Sequence, residues 1–421
     1  MNDAEREIIG SVLINNSVMS QMIEAGLTPD MFLNVDYKET YKIMLSLYDK
    51  GEAITPVTMA ASLNDSEGWG NLFRDVLSQT STSFYAKEDC KVVMASWRSR
   101  MAKRLFENAD FSTSSIDGTI GNLITSLEEL RNNSESPVHS IKKIVDDNSG
   151  NYFNPNREQG IRFGFKLLDE CLGGLDTGNV TVIAARPKVG KSAFATQIIA
   201  QLSAYGKVGY FNLEMGESEV YERMISRYSG IDLRRIRRAL EFTGNERERF
   251  QKANEDVSKL AIDVISGAQT ISRIKALAKH QGYACIVIDY MQLVKSEKDY
   301  GNRTAEVGQI SADIKRLAME LKTRVIALAQ LNRTHNEFKE PMLEDLRESG
   351  AIEQDASNVI FLWRPGKDPE SRGVKVAKNR QGEEAKYAYS FDGAHMEFKE
   401  IGIMEDRAEG GDDFEYTVNP F

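Results

Sequence analysis

The stretch Ala184-Ala185-Arg186-Pro187-Lys188-Val189-Gly190-Lys191-Ser192 decides how this chain is read. It follows the apolar run Val180-Thr181-Val182-Ile183-Ala184 and precedes Ala193-Phe194-Ala195 and Ile198-Ile199, which have the spacing of a buried helix face. The pattern is strand, loop, helix. Backbone N–H groups in such a loop wrap a polyphosphate at a helix N-terminus, a lysine at position 191 meets the β and γ phosphates, and a serine hydroxyl at position 192 ligates Mg²⁺. The stretch is therefore a Walker A loop, with Ala185, Arg186, Pro187, Lys188, Val189, Gly190, Lys191 and Ser192 as nucleotide-binding candidates. It departs from the strict pattern in two places: Ala185 stands where glycine is usual, and Lys188 adds a positive charge.

Three more strand ends carry polar groups suited to the same site. Ala284-Cys-Ile-Val-Ile-Asp289 is an apolar run closing on one carboxylate. At the C-terminal end of a buried strand such a group meets the ligand crevice of an open α/β sheet, so Asp289 is the second Mg²⁺ ligand beside Ser192. Capping a turn is the plainer use of such a residue. Glu214 ends Lys207-Val-Gly-Tyr-Phe-Asn-Leu-Glu214 in the same way. If this strand neighbours the one feeding the loop, the Glu214 carboxylate faces the γ-phosphate and can orient an attacking water; otherwise it is a solvated residue before a helix. Gln330 closes Val325-Ile-Ala-Leu-Ala-Gln330, where a neutral amide can bond the γ-phosphate and report its loss.

Around these parts the chain divides. With 421 residues it holds two or three domains at roughly 150 residues each. Residues 1–131 carry helical stripes: Ile8, Ile9, Val12 and Leu13 behind a capping Asp3; Tyr37, Tyr41, Met44, Leu45 and Tyr48 stopping near Gly51; and a helix opened by Thr55-Pro56 and running through Met59 to Leu63. Val93, Trp97, Met101 and Leu105, then Ile120, Leu123, Ile124 and Leu127, form an amphipathic pair read as core or as a helical hairpin. Residues 132–157 have linker composition around a short amphipathic helix at 138–145, whose Ile141, Ile144 and Val145 either dock on a neighbour or pack on their own chain. Residues 158–405 alternate strands and helices, the pattern of a mostly parallel sheet covered on both faces, with strands at 180–184, 208–213, 262–266, 285–288, 324–329 and 359–363 and smaller ones near 373–377 and 387–391. An acidic tail, 406–421, ends on Pro420-Phe421. It is either a frayed end or a segment that puts its terminal Phe421 into a partner's pocket.

Composition removes other classes. No basic-then-apolar leader opens the chain and no apolar run is long enough for a bilayer, so the expected location is the cytoplasm, with no membrane partner. Cys90, Cys171 and Cys285 are too scattered for a disulfide framework or a zinc site, and the four histidines show no ligand spacing. A net charge of −10 argues against wholesale coating of nucleic acid and leaves room only for local basic sites, built from several subunits.

Taken together, G-F-K-L-L-D-E-C-L-G-G-L-D-T-G-N, A-A-R-P-K-V-G-K-S, N-L-E-M, I-V-I-D-Y-M-Q-L, A-L-A-Q-L-N-R and D-L-R-E-S-G-A-I-E-Q-D-A closely resemble, in that order, the DnaB-type replicative DNA helicases. D-A-E-R-E-I-I-G-S-V-L-I-N and the helices behind it look like that family's N-terminal domain. The resemblance implies an all-α N-terminal domain, a linker helix and a RecA-like P-loop motor. Six copies would form a ring around single-stranded DNA, hydrolyse ATP with Mg²⁺ at subunit interfaces and travel 5′ to 3′. It implies Lys191 and Ser192 as phosphate and Mg²⁺ ligands, Glu214 as catalytic carboxylate, Asp289 as Walker B acid and Gln330 as γ-phosphate sensor. Lys378 and Arg380 match the finger inserted from a neighbouring subunit, and Arg347, Glu348 and Gly350 match the inner-channel loop that grips the DNA backbone. Residues 296–304, with Lys298 and Arg303, stand where a second channel loop belongs. The N-terminal domain is the expected primase contact, and a helicase loader the expected assembly partner. The short length and linker suit a bacteriophage. Two rivals share the core: a RecA-like recombinase or DNA-dependent regulatory ATPase, and a loader or scaffold that does not unwind. The helical N-terminal half and the R-E-S-G loop count against the first, the retention of Glu214, Lys378 and Arg380 against the second.

Overall fold

Two compact units divide the chain, Met1–Arg157 and Glu158–Phe421. The computed structural model describes residues 2–62, 66–112, 116–132, 141–150, 160–238, 240–296, 300–331, 336 and 338–404. The acidic tail lies outside the described residues, as does Lys298.

In the first unit the repeating apolar faces form α1 (Asn2–Ile14), α2 (Val18–Glu24), α3 (Val35–Asp49), α4 (Pro56–Ala61), α5 (Ser66–Gln79), α6 (Ala86–Glu107), α7 (Ile116–Asn132) and α8 (Ile141–Asn148). Ile8, Ile9 and Val12 share one core with Tyr41 and Met44 of α3, Phe73 and Val76 of α5 and Val93 of α6. Thr55 caps α4 in a reciprocal box with Thr58, and Pro56 follows at the first helical position. Glu5 is buried, and its carboxylate accepts the N–H groups of Leu33 at 2.7 Å and Asn34 at 3.0 Å, which ties α1 to the turn before α3.

Several helical expectations need correction. Asp3 does not cap α1, because the helix already includes Asn2 and Asp3 lies in its first turn. Helices α2 and α5 went unread, although Trp69, Leu72, Phe73 and Val76 of α5 have helical spacing. The third expected helix ends at Ala61, and Leu63 lies outside the described residues. Ile120 and Ile124 of α7 are exposed, so that stripe is only partly core. The linker helix is α8, and residues 138–140 of its expected span lie outside the described residues. Its Ile141, Ile144 and Val145 are exposed.

The second unit is a nine-stranded sheet among the described residues. Its strands are β1 (Val180–Ala185), β2 (Val208–Asn212), β3 (Ile262–Ser266), β4 (Cys285–Asp289), β5 (Arg324–Gln330), β6 (Asn358–Trp363), β7 (Ser371–Asn379), β8 (Ala385–Asp392) and β9 (Glu397–Ile403). They lie in the order β3-β2-β4-β5-β1-β6-β7-β8-β9. The pairs from β3 to β6 are parallel and those from β6 to β9 antiparallel. Helices α9 (Lys166–Leu172), α10 (Lys191–Leu202), α11 (Glu217–Ser229), α12 (Leu233–Arg237), α13 (Gly244–Ser258), α14 (Ile271–Gln281), α15 (Arg303–Leu321) and α16 (Gly350–Asp355) complete it. Alternation sorts each strand between two cores. Cys285 and Val287 join Phe194 and Ile198 on one face, while Ile286 and Ile288 join Ile274, Ile310 and Ile314 on the other. Strand β9 went unread because Phe398 is its one fully buried large side chain. Its Glu400 has a long-range task instead: the carboxylate accepts the N–H groups of Leu167 at 3.0 Å and Leu168 at 3.3 Å, capping α9, whose own N-cap Phe165 offers no side-chain acceptor.

Gly10 gives a direct test of the helical core. A Cβ there would stand 2.1 Å from Thr80 Oγ1 and 2.6 Å from Thr80 Cβ, and Thr80 is buried. Gly10→Ala should therefore destabilise the unit by about 1–3 kcal/mol of overpacking, minus the ~1 kcal/mol of helix propensity that alanine brings. A urea midpoint equal to or above that of the parent would contradict this packing.

Candidate nucleotide-binding site

Strand β1 delivers the loop to α10, so Lys191 and Ser192 open the helix and Gly190 stands at its N-cap. Gly190 has φ +114°, and an added Cβ would lie 2.9 Å from the Phe398 ring. Glycine is required there on both counts. Lys188 also has a left-handed φ of 66° at the exposed loop tip. Ala185 ends β1 with its side chain buried, a strand position that asks nothing of glycine. A cleft of about 390 Å³ opens over the loop. It gathers seven residues of the loop stretch, Ala185 to Lys188 and Gly190 to Ser192, together with Glu214 and Gln330 from two other strand ends. Val189 is not among the lining residues, since its side chain is buried in the core below.

The floor of the cleft is a buried charge pair. Asp289 is fully buried, with Lys191 Nζ 3.3 Å from its Oδ1 and the Tyr210 hydroxyl donating to its Oδ2 at 2.9 Å. The Lys191 ammonium also lies 4.3 Å from the centre of the Tyr290 ring. Burial pulls the lysine below its ordinary pKa, opposed by the carboxylates of Asp289 and Glu214. Burial likewise pushes the Tyr210 phenol well up, reinforced by Asp289, so it remains a donor. The Lys191 ammonium is thus the partner of Asp289 Oδ1. With the Ser192 hydroxyl at the start of α10, the Asp289 carboxylate makes a hard-oxygen donor set of the kind that fits Mg²⁺.

Glu214 reaches the cleft by a route other than the expected one. Strand β2 does not neighbour β1; β4 and β5 lie between them, and β1 is flanked by β5 and β6. Two local bonds bring the carboxylate across. The Leu213 N–H donates to the Asp289 carbonyl at 2.7 Å, and the Asn212 amide clasps Met215 through bonds of 2.9 and 3.1 Å, holding Glu214 at the apex of a tight turn. Lys378 and Arg380 are not part of the cleft of their own chain. Lys378, beside a bulge in the β6–β7 ladder, donates to the Glu353 carbonyl of α16 at 2.5 Å, and Arg380 is exposed. Arg347 and Glu348 belong to a 3₁₀ turn, Leu343–Ser349, with side chains outside the described residues; Gly350 follows as the exposed start of α16. Arg303 of the expected second channel loop is engaged locally, by the Gln292 carbonyl and by Glu306 at 2.7 Å.

Arg186 lines the cleft, but its guanidinium is committed elsewhere: it donates to the Lys339 carbonyl and lies 3.5 Å from the Asp345 carboxylate. Sequence reasoning missed Arg223, Phe391 and Met396, which also line the cleft. Arg223 was readable as the cation four residues after Glu219 on α11, to which it donates at 2.7 Å. Phe391 and Met396 flank the β8–β9 turn, which could not be drawn without β9. Arg372, buried, donates its Nε–H to the Val189 carbonyl at 2.7 Å and braces the loop from below. Burial brings that guanidinium down to about 10.

The chain is similar to known proteins along most of its length. The DnaB-like helicase C-terminal domain profile matches residues 160–400, and the DnaB-like helicase N-terminal domain profile matches residues 1–94. The replicative DNA helicase DnaC of Bacillus subtilis is 30% identical over 420 residues, spanning 90% of either chain. The replicative DNA helicase DnaB of Geobacillus stearothermophilus is 29% identical over 410 residues, again 90% of either. A solved DnaB-like replicative helicase, described with its primase interactions, superposes with a TM-score of 0.72 at 26% identity, covering 94% of this chain and 99% of its own. A solved ATPase domain superposes at 0.58 with 30% identity, over 62% of this chain and 98% of its own.

The geometry of the loop predicts that Gly190→Ala lowers affinity for a fluorescent adenine nucleotide by at least tenfold, about 1.4 kcal/mol, since both the backbone conformation and the Phe398 ring must give way. Unchanged affinity would mean that the loop does not hold phosphate in this conformation.

Proposed function

Because the chain belongs to the DnaB-like helicase family, we propose that it is a replicative DNA helicase: a hexameric ring that hydrolyses ATP and moves 5′ to 3′ along single-stranded DNA, unwinding the duplex at the fork. The observation that carries the reading is the meeting of Lys191, Ser192, Glu214 and Gln330 above the buried Asp289, at the C-terminal edge of a parallel sheet. In this reading Lys191 moves its charge from Asp289 toward the β and γ phosphates, and N–H groups of the loop bind the remaining oxygens. Ser192 and Asp289 would hold Mg²⁺, which would supply positive charge against the phosphates. Glu214 orients the attacking water and draws off its proton. Gln330 bonds the terminal phosphate through its amide. Phosphoryl transfer spreads negative charge over the equatorial oxygens, and cations that meet it there stabilise the transition state. Lys378 and Arg380, outside their own cleft and near an edge of the parallel part of the sheet, suit delivery into the cleft of an adjacent subunit.

Arg347, Glu348 and Gly350 are assigned to the DNA backbone. The arginine and the backbone N–H groups of that turn would bind phosphate without reading bases. Residues 1–131 are assigned to the ring collar and primase contact, supported by the likeness to a helicase solved with its primase interactions. Residues 132–157 are the linker, with the exposed apolar face of α8 as its docking element toward a neighbouring motor domain in 158–405. A loader that opens the ring onto DNA completes the partners, and the work is cytoplasmic.

Strand displacement on a forked duplex with ATP and Mg²⁺ tests the reading. Unwinding should require a 5′ single-stranded arm, and Glu214→Gln should lower it by about a hundredfold or more, the scale of a lost general base. DNA-stimulated hydrolysis with no displacement, primase and loader included, would move the chain to the recombinase or scaffold class. Arg380→Ala should leave nucleotide affinity unchanged and lower turnover by about a thousandfold. Full hydrolysis by an isolated monomer would contradict the assignment of Arg380 to a neighbour's site.

A further inference from the structure

The ladder between β4 and β5 closes at Ile288↔Ala327, although β5 continues to Gln330. On its other edge Gln330 still pairs, with Ala185 of β1, where the phosphate loop begins. Toward β4, the backbone N–H and C=O of Gln330 have no strand opposite them, and such groups need partners. Gln292 supplies both. It lies in the 3₁₀ turn Met291–Leu293, just past Asp289; its Oε1 accepts from the Gln330 N–H at 3.3 Å and its Nε2 donates to the Gln330 carbonyl at 3.2 Å. One primary amide thus stands in for a rung of the ladder that β4 no longer provides. Gln292 is itself braced from outside, by the Arg303 guanidinium donating to its carbonyl from the first turn of α15.

We infer that Gln292 is a positioning residue for turnover. It fixes the Gln330 backbone against the end of the strand that carries Asp289, so the sensing amide and the Mg²⁺-side carboxylate keep a set separation across the cleft. The inference rests on the reading of Gln330 as the γ-phosphate sensor. Gln292 is partly exposed and Gln330 exposed, although their neighbours Met291 and Leu331 lie in one core of the unit, so the clasp itself adds little burial to the fold. Placement of a group that acts on the transition state is a different matter, where a shift of about 1 Å can cost a hundredfold in rate.

The test is steady-state ATP hydrolysis by the full chain with Mg²⁺ and single-stranded DNA, comparing Gln292→Leu, Gln330→Ala and the double variant, with fluorescent ADP affinity measured alongside. Leucine keeps the bulk and removes both hydrogen bonds. Gln292→Leu should lower kcat about tenfold while KM and ADP affinity stay within about twofold, because the loss falls on the transition state and not on binding. The double variant should be no slower than the slower single one, since both changes remove the same function. Gln292→Met, flexible and of equal length, repeats the measurement should leucine disturb the turn. Full kcat in both Gln292 variants beside an impaired Gln330→Ala overturns this inference and leaves the sensor reading in place. Parallel losses in ADP affinity and kcat also overturn it, since they mark a structural role only. Full kcat in Gln330→Ala overturns the sensor reading, and the inference with it.

Discussion

The carboxylate of Asp289, fully buried at the end of β4, is the constraint from which the motor domain's site is built. A lone buried charge costs several kcal/mol, so it must be paired and hydrogen-bonded. The chain answers with Lys191 from the loop and Tyr210 from β2. Those two answers fix the site: Lys191 must open α10, Tyr210 must face β4, and the β2–β4 pairing must hold them in register through Asn212↔Asp289. One carboxylate oxygen takes the phenol of Tyr210 and the other faces the ammonium of Lys191, which burial partly desolvates.

Much of this was legible because parallel strands buried on both faces read as unbroken apolar runs, and a polar residue at the end of such a run is conspicuous. Asp289, Gln330 and the phosphate loop stood out in that way, and the structure brings them to one edge. What could not be read was the order of strands. Glu214 was drawn to the cleft by assuming that β2 lies beside β1; it gets there instead through Leu213 bonded to the Asp289 carbonyl and a turn clasped by Asn212. Sequence reports the burial of a strand and says little about its neighbours. The antiparallel end of the sheet was obscure for a related reason: β9 alternates Phe398 with charged residues, and the value of Glu400 lies in capping a helix more than two hundred residues earlier in the chain. In the helical unit, spacing sufficed for α1, α3 and α6, whereas α2, with seven residues, is too short to show a period.

Arg186 ties the phosphate loop to the segment that leads into the turn Leu343–Ser349. It belongs to the loop stretch and lines the cleft, yet its guanidinium bonds the Lys339 carbonyl and faces Asp345, two residues before Arg347 in the stretch matched to the DNA-gripping loop. Lys378, matched to the finger, holds the carbonyl of Glu353 in α16, the helix that begins where that stretch ends. Two cations matched to nucleotide chemistry are therefore anchored on the two flanks of the 3₁₀ turn Leu343–Ser349. Physical contiguity of this kind is the precondition for one site to bias another, and a motor that links hydrolysis to movement on DNA needs it. A shift of the turn relative to the sheet changes what Arg186 touches at Asp345, and a shift of α16 changes what Lys378 touches at Glu353.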